Sequence, residues 1–144
     1  MPADNEPAFV DTNVLVYAFD RTDSPKSRAA QRLIGDLMDQ DGLRVSTQVL
    51  QELFITLTQE VARPCSAAKA LAVLDDVTAW PLVVIDYIAI RSAAKLADRA
   101  RISFGDALAV VAAAQSGASI LYTEDLNHGQ EIPGVRITNP FRAA

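Results

Sequence analysis

The chain has 144 residues, carries a net charge of −5, and is 50% hydrophobic and 22% charged. This length and composition are typical of one globular domain with its own core, which argues against a disordered chain. The acidity argues against a protein that binds nucleic acid through a basic surface, unless its acids hold divalent cations that reverse the local charge.

Targeting and redox features are absent from the sequence. The one cysteine, Cys65, cannot form a disulfide within the chain, which is typical of proteins of the reducing cytoplasm. The first residues are polar and acidic and lack the basic start and apolar run of a signal peptide. No apolar stretch reaches the roughly 18 residues that indicate a membrane span. We therefore expect a cytoplasmic protein that is not associated with a membrane.

Apolar runs alternate with segments of helical periodicity along the chain. Short apolar runs predict five strands, at residues 8–10, 43–46, 82–85, 119–122 and 135–137. Helical spacing and capping residues predict six helices, at residues 14–19, 26–38, 47–59, 66–78, 87–100 and 103–115. The alternation predicts an α/β domain with a mainly parallel sheet of four to five strands, covered by helices on both faces. No repeat or linker interrupts it, so residues 1–144 are interpreted as a single domain.

Two carboxylates stand alone in apolar surroundings. Asp11 is the only charged residue between Pro7 and Phe19, and Asp106 is the only one between Ile102 and Ser119. A buried charge without a partner is costly, and no lysine or arginine lies nearby in sequence. Either a distant side chain or a metal ion must therefore compensate each of them.

The predicted positions of four acids would allow them to converge. Asp11 and Asp125 each follow a predicted strand, and ligands of parallel sheets bind beyond the carboxyl ends of strands. Asp106 begins the helix that precedes the fourth strand, and Glu52 lies in the helix after the second. Gathered carboxylates suit Mg²⁺ or Mn²⁺, which together with a water can act on a phosphodiester without histidine or cysteine.

Each acid also has a local interpretation that the pattern leaves open. The spacing from Ser103 to Asp106 resembles a capping box, with Asp in place of the usual Glu. Asp11 could form an Asx turn or cap the following helix. Asp125 could be a turn residue and Glu52 a surface charge, so the pattern alone leaves a metal site as one interpretation among several.

Five short motifs are spread in sequence order over nearly the whole chain: FVDTNVL (9–15), QEL (51–53), ISFGDAL (102–108), LYTEDL (121–126) and IPGVRITNPF (132–141). Together they resemble the PIN-domain ribonucleases, and most closely the VapC-type toxins of bacterial toxin–antitoxin modules. The resemblance implies a three-layer αβα fold in a single PIN domain. It also implies that Asp11, Glu52, Asp106 and Asp125 are the catalytic acids around Mg²⁺ or Mn²⁺. Asp11 and Asp106 would be the most direct ligands, and the other two would complete the shell or act through water. Three polar neighbours would orient ligands or water: Thr12, Asn13 and Thr123.

The activity that the resemblance implies is endonucleolytic hydrolysis of RNA by a water that the metal activates. Such toxins often cut transfer or ribosomal RNA, are silenced by a cognate antitoxin, and form homodimers. An alternative is a catalytically silent PIN-like binding module, although the presence of all four acids counts against it. A phosphatase or receiver domain is disfavoured, because no second Asp follows Asp11 two residues on.

Two further charged features remain open. Arg91, Lys95 and Arg99 recur every four residues on a predicted helix and could contact RNA phosphates or antitoxin acids, or simply form a solvated face. Glu124 is a fifth acid within the TED motif. We expect its side chain to point to solvent, because neighbouring side chains on a turn diverge.

Overall fold

A computed structural model describes residues 6–20 and 23–142 of the chain. A five-stranded sheet lies at its centre, built from β1 (Ala8–Val10), β2 (Leu43–Arg44), β3 (Ile120–Tyr122), β4 (Glu131–Ile132) and β5 (Val135–Thr138). The strand order is β2-β1-β3-β5-β4, and all pairs are parallel except β4 with β5. The strand order reverses between β1 and β3, so their carboxyl ends form the edge where such sheets bind ligands.

Six α-helices are present in the described ranges: α1 (Thr12–Phe19), α2 (Pro25–Asp39), α3 (Thr47–Ile55), α4 (Ala67–Val77), α5 (Tyr87–Ala100) and α6 (Phe104–Gln115). A π-helical turn, Thr56–Glu60, continues α3. Every α-helix begins at a side chain that accepts a backbone N–H of its first turn, namely a serine or an aspartate. These caps satisfy amide groups that have no partner within the helix, which is why helix starts were predictable to within two residues.

Helices cover both faces of the sheet. Successive residues of β1 point to opposite faces, yet Ala8, Phe9 and Val10 are all fully buried. The three residues of β3 are buried in the same way. Helix α6 is apolar almost all round and packs against α5, β3, β1 and β5. The predicted α/β fold with a mainly parallel sheet is confirmed, and no helix in the described ranges is long and apolar enough to cross a bilayer.

The predicted strand at 82–85 is wrong. Only Val83 pairs, in a single parallel bridge with Ser46, while the Ile85 amide donates to the Thr47 hydroxyl instead of to a strand. Val84 is 67% exposed, so the apolar run does not mark a buried strand. Conversely, β4 was not predicted, because two residues leave no periodicity to detect. Residues 1–5, 21–22 and 143–144 lie outside the described part of the predicted 1–144 domain.

A backbone feature at the end of α5 yields a test of the fold. Arg101 ends the helix with φ 57° and ψ 46°, in the left-handed region that glycine occupies without strain. We expect Arg101→Gly to raise the free energy of unfolding by up to about 1 kcal/mol. The matched change Arg99→Gly, within the last helical turn, should lower it by about 1 kcal/mol. Urea denaturation of both variants measures this, and equal destabilisation would contradict the left-handed cap.

Candidate metal centre

Asp11 and Asp125 lie at the carboxyl edge of the two central strands. Asp11 directly follows β1, and its backbone amide donates to the carbonyl of Tyr122 at the end of β3. Its Oδ1 caps α1 by accepting the Thr12 amide at 2.8 Å. Asp125 lies in the turn after β3. The register that pairs Val10 with Tyr122 therefore brings the two acids to the same point of the sheet.

Asp106 reaches this point from α6. Its backbone amide donates to Ser103 Oγ at 3.1 Å, which begins the helix. Its carboxylate accepts no hydrogen bond from the residues that the structure describes, so the side chain is not used in a capping box. One carboxylate oxygen each from Asp11, Asp106 and Asp125 lies within 4.8 Å of the other two. Asp11 is the most enclosed of the three and Asp125 the most exposed.

Thr123 and Asn13 hold these acids in place. The fully buried Thr123 hydroxyl donates to Asp11 Oδ2 at 3.0 Å and accepts the Asp125 amide at 3.2 Å. The Asn13 amide donates to Asp125 Oδ2 at 3.0 Å and to Thr123 Oγ1 at 3.2 Å. Asn13 Oδ1 accepts the Glu124 amide at 3.3 Å. The turn that carries Asp125 is thereby fastened to the first turn of α1.

Glu52 stands apart from the group of three. It lines the same cleft from α3, where Oε2 accepts the Thr12 hydroxyl at 2.9 Å and Oε1 accepts the Gln48 amide at 3.2 Å. Gln48 was missed by the sequence analysis, although its place one turn before Glu52 on the same helix pointed to contact. The buried Oε1 of Gln48 has no hydrogen-bond partner among the described residues.

The prediction that the Glu124 side chain points to solvent is wrong. Its side chain is 23% exposed, lines the cleft and forms an ion pair of 2.9 Å with Lys26. The backbone bond to Asn13 fixes the residue, and Lys26 at the start of α2 attracts its carboxylate. The predicted basic stripe, by contrast, is exposed along α5 and lines no part of this cleft: Arg91, Lys95 and Arg99. A contact of that stripe with RNA or antitoxin stays a prediction.

The cleft has a volume of about 420 Å³ and a strongly acidic wall. Among the described residues, no lysine, arginine or histidine lines it. Five acids do: Asp11, Glu52, Asp106, Glu124 and Asp125. Burial raises the pKa of Asp11 to about 6, against the opposing hydrogen bonds from Thr12 and Thr123. Burial, and then the charge of Asp106, also raises the pKa of Asp125.

The donor set fits a hard divalent cation. All its donor atoms are oxygens, which Mg²⁺ and Mn²⁺ prefer and which disfavour softer metals. Ligands about 2.1 Å from one ion lie at most about 4.2 Å apart, close to the limit of 4.8 Å within which the three carboxylates fall. Their mutual repulsion would be relieved by a bound cation.

Comparison with solved structures places the fold. The toxin VapC20 of Mycobacterium tuberculosis, described as cleaving the sarcin–ricin loop, is 21% identical with a TM-score of 0.67, over 82% of this chain and 91% of that one. A toxin–antitoxin complex from Klebsiella pneumoniae is 16% identical with a TM-score of 0.67, over 92% and 97%. VapBC2 of Rickettsia felis, bound to a DNA fragment from its promoter, is 17% identical with a TM-score of 0.63, over 92% and 97%. At these identities the likeness concerns the fold.

Sequence comparison places the family. No curated protein is significantly similar to the chain. The family model described as the PIN domain matches residues 8–130, a range that contains all four predicted acids and most of the chain. Together with the fold, this match confirms the resemblance found from the motifs, and the chain belongs to the PIN-domain family.

Proposed function

We propose that the chain is the toxin of a toxin–antitoxin module and acts as an endoribonuclease that depends on Mg²⁺ or Mn²⁺. The observation that carries this proposal is the convergence of three carboxylates from separate segments in a cleft that no basic side chain of the described residues lines. The PIN domain and the similarity to solved toxins, one of them described as cleaving the sarcin–ricin loop, support it.

Asp11 and Asp106 would be the direct ligands, and Asp125 would complete the shell. Glu52 lies outside the group of three, so it would act through a water molecule. When bound, the cation would neutralise charge on the phosphodiester and make a water more acidic.

The other polar residues would keep the acids in position. Thr123 and Asn13 fix the acids at the ends of β1 and β3, and the Thr12 hydroxyl does the same for Glu52. Because these bonds form within the protein, they cost no rearrangement when RNA binds. The bonds from Thr123 to Asp11 and from Asn13 to Asp125 lower the pKa of those two acids, against the burial that raises it.

The proposed partners rest on the comparisons together with the resemblance of the motifs to VapC-type toxins. One similar structure is described as a toxin–antitoxin complex, and the motifs of this chain resemble VapC-type toxins, so we propose that a cognate antitoxin silences this chain. The substrate would be transfer or ribosomal RNA in the cytoplasm, and the active form a homodimer. A catalytically silent binding module is the competing proposal, and cleavage assays decide between the two.

The first prediction concerns RNA cleavage. Purified protein, free of antitoxin, should cut RNA with Mg²⁺ or Mn²⁺ and should stop when EDTA is added. Asp11→Asn and Asp106→Asn should each lower kcat/KM more than about a hundredfold, because even changes outside the ligand shell cost 10- to 100-fold. Gel assays on total RNA, followed by mapping of the cut ends, measure this.

The matched control for these variants is Asp98→Asn. Asp98 is exposed on α5, away from the cleft, so this change removes the same charge without touching the site. It should cleave like the wild type. Activity in EDTA, or full activity in both ligand variants, would exclude the mechanism. Metal binding and antitoxin binding without cleavage would favour the silent binding module.

The second prediction concerns pH and stability without metal. Folding raises the pKa of Asp11 from 3.8 to about 6. Ionisation of Asp11 therefore lowers the free energy of unfolding of the protein as pH rises from about 4 to 6, and this loss persists at higher pH. In EDTA, Asp11→Asn should therefore gain up to about 3 kcal/mol relative to the wild type over this interval. Denaturant titrations between pH 4 and 7.5 measure the difference.

Addition of Mn²⁺ at pH 7 should make the wild type more stable than Asp11→Asn, the reverse of the result in EDTA. The cation should raise the Tm of the wild type and of Asp98→Asn, but not that of Asp11→Asn. A stability difference between wild type and Asp11→Asn that is independent of pH would contradict the burial of this carboxylate.

The third prediction concerns Thr123. Its hydroxyl donates one hydrogen bond and accepts two, so Thr123→Val removes all three while keeping the shape of the side chain. We expect Mn²⁺ affinity to fall about 10- to 100-fold. Thr123→Ser retains the hydroxyl and should stay near the wild-type affinity. Calorimetric titration measures both affinities. Equal Mn²⁺ affinity in the Val and Ser variants would contradict a role of the Thr123 hydroxyl in positioning the acids.

A further inference from the structure

A lysine lies at the rim of the acidic cleft and is held from several sides. Lys26 Nζ is 2.9 Å from Glu124 Oε2. It also lies 5.2 Å from the ring centroid of Tyr17 and 5.5 Å from that of Phe141, where aromatic rings attract cations. The two rings meet edge to face, with their centroids 5.0 Å apart. One carboxylate and two packed rings therefore fix where this ammonium group lies.

The stability of the fold does not explain this lysine. Lys26 is the second residue of α2, and the first turn of that helix has no acidic residue. A positive charge is unfavourable there, because the amino end of a helix is itself partly positive. The ion pair with Glu124 is solvent-accessible, with the Lys26 side chain 46% exposed, and such pairs contribute little to stability. Only exposed contacts of about 1 kcal/mol or less each offset this unfavourable position, which points to a role of Lys26 beyond stability.

The cleft has a need that this lysine meets. Five acids line it, so an RNA strand that approaches the candidate metal ligands meets a wall of like charge. RNA affinity depends chiefly on cations that neutralise its phosphates. Lys26 places one positive charge beside Glu124, which is the chain neighbour of Asp125 and is fixed through its backbone to Asn13.

We propose that Lys26 binds a phosphate of the RNA strand next to the bond that is cut, and that Glu124 occupies the lysine until this phosphate displaces it. The inference rests on the proposed function, since it assigns a substrate contact to the same cleft. Glu124 acts as an internal competitor of the substrate. Its removal should therefore improve RNA binding, whereas removal of the lysine should weaken it.

The experiment compares Lys26→Ala, Lys26→Arg, Glu124→Gln and the double variant Lys26→Ala/Glu124→Gln. Cleavage of a single-stranded RNA oligonucleotide is followed at saturating Mn²⁺ and several KCl concentrations. For Lys26→Ala we expect KM to rise about tenfold with kcat unchanged. The slope of log KM against log salt should fall by about 0.7, the value for one phosphate contact on a single strand.

The other variants separate a substrate contact from a structural role. Glu124→Gln should lower KM about two- to fivefold, while the double variant should behave like Lys26→Ala. Lys26→Arg keeps the positive charge and should therefore keep the wild-type slope of log KM against log salt. The matched control is Lys69→Ala, which removes an exposed lysine on α4 away from the cleft and should behave as the wild type. If Lys26→Ala and Glu124→Gln both lower activity and Tm together, the pair is structural and the inference fails.

A binding measurement keeps this inference distinct from the proposed function. Fluorescence anisotropy of the same oligonucleotide is measured with Asp106→Asn, with and without Lys26→Ala. Cleavage by the wild type together with an unchanged KM and salt slope in Lys26→Ala overturns the role of Lys26 alone. If the wild type cleaves no RNA, the proposed function fails. Lys26 is then judged by anisotropy, where equal affinity with and without the lysine overturns the inference.

Discussion

Repulsion between carboxylates is the constraint on which the rest of this site depends. Asp11, Asp106 and Asp125 bring oxygens within 4.8 Å of one another in a cleft without basic lining among the described residues. Burial already raises the pKa of Asp11 to about 6. The cluster can form because its backbone is fixed by interactions that need no cation: the pairing of β1 with β3 and the serine cap of α6. The acids are therefore in place without an ion, and an ion that bound there would relieve repulsion instead of ordering the chain.

The two oxygens of one carboxylate reconcile interpretations that seemed to compete. From sequence, Asp11 was either a helix cap or a metal ligand. In the structure Oδ1 caps α1 through the Thr12 amide, and Oδ2 accepts the Thr123 hydroxyl. Capping thus fixes the orientation of the carboxylate that would bind an ion. Asp106 divides the same tasks differently, since its backbone amide takes part in the cap and its carboxylate is left for the site.

Local chemistry explains what the sequence could predict. The isolated charges of Asp11 and Asp106 stood out because their neighbours are apolar, and Ser24 and Ser103 marked the starts of two helices. Glu52 and Asp125 lie in polar segments, so only the resemblance to PIN domains singled them out. The contact between Lys26 and Glu124 joins residues 98 positions apart and has no local signature. The strand prediction at 82–85 was wrong for a related reason. Most of its apolar side chains pack against the rest of the core, and only one residue of the run pairs with a neighbouring segment.

The short strands at the two ends of the sheet restrict how another protein can bind. Both outer strands, β2 and β4, are only two residues long. An extended peptide that joins a sheet needs a row of unpaired backbone groups, and edges this short offer almost none. A partner of the described part of the chain would therefore contact chiefly side chains of its helices and loops. Specificity for a partner would then depend on surface residues, which can be substituted without disturbing the buried sheet or the acids at its edge.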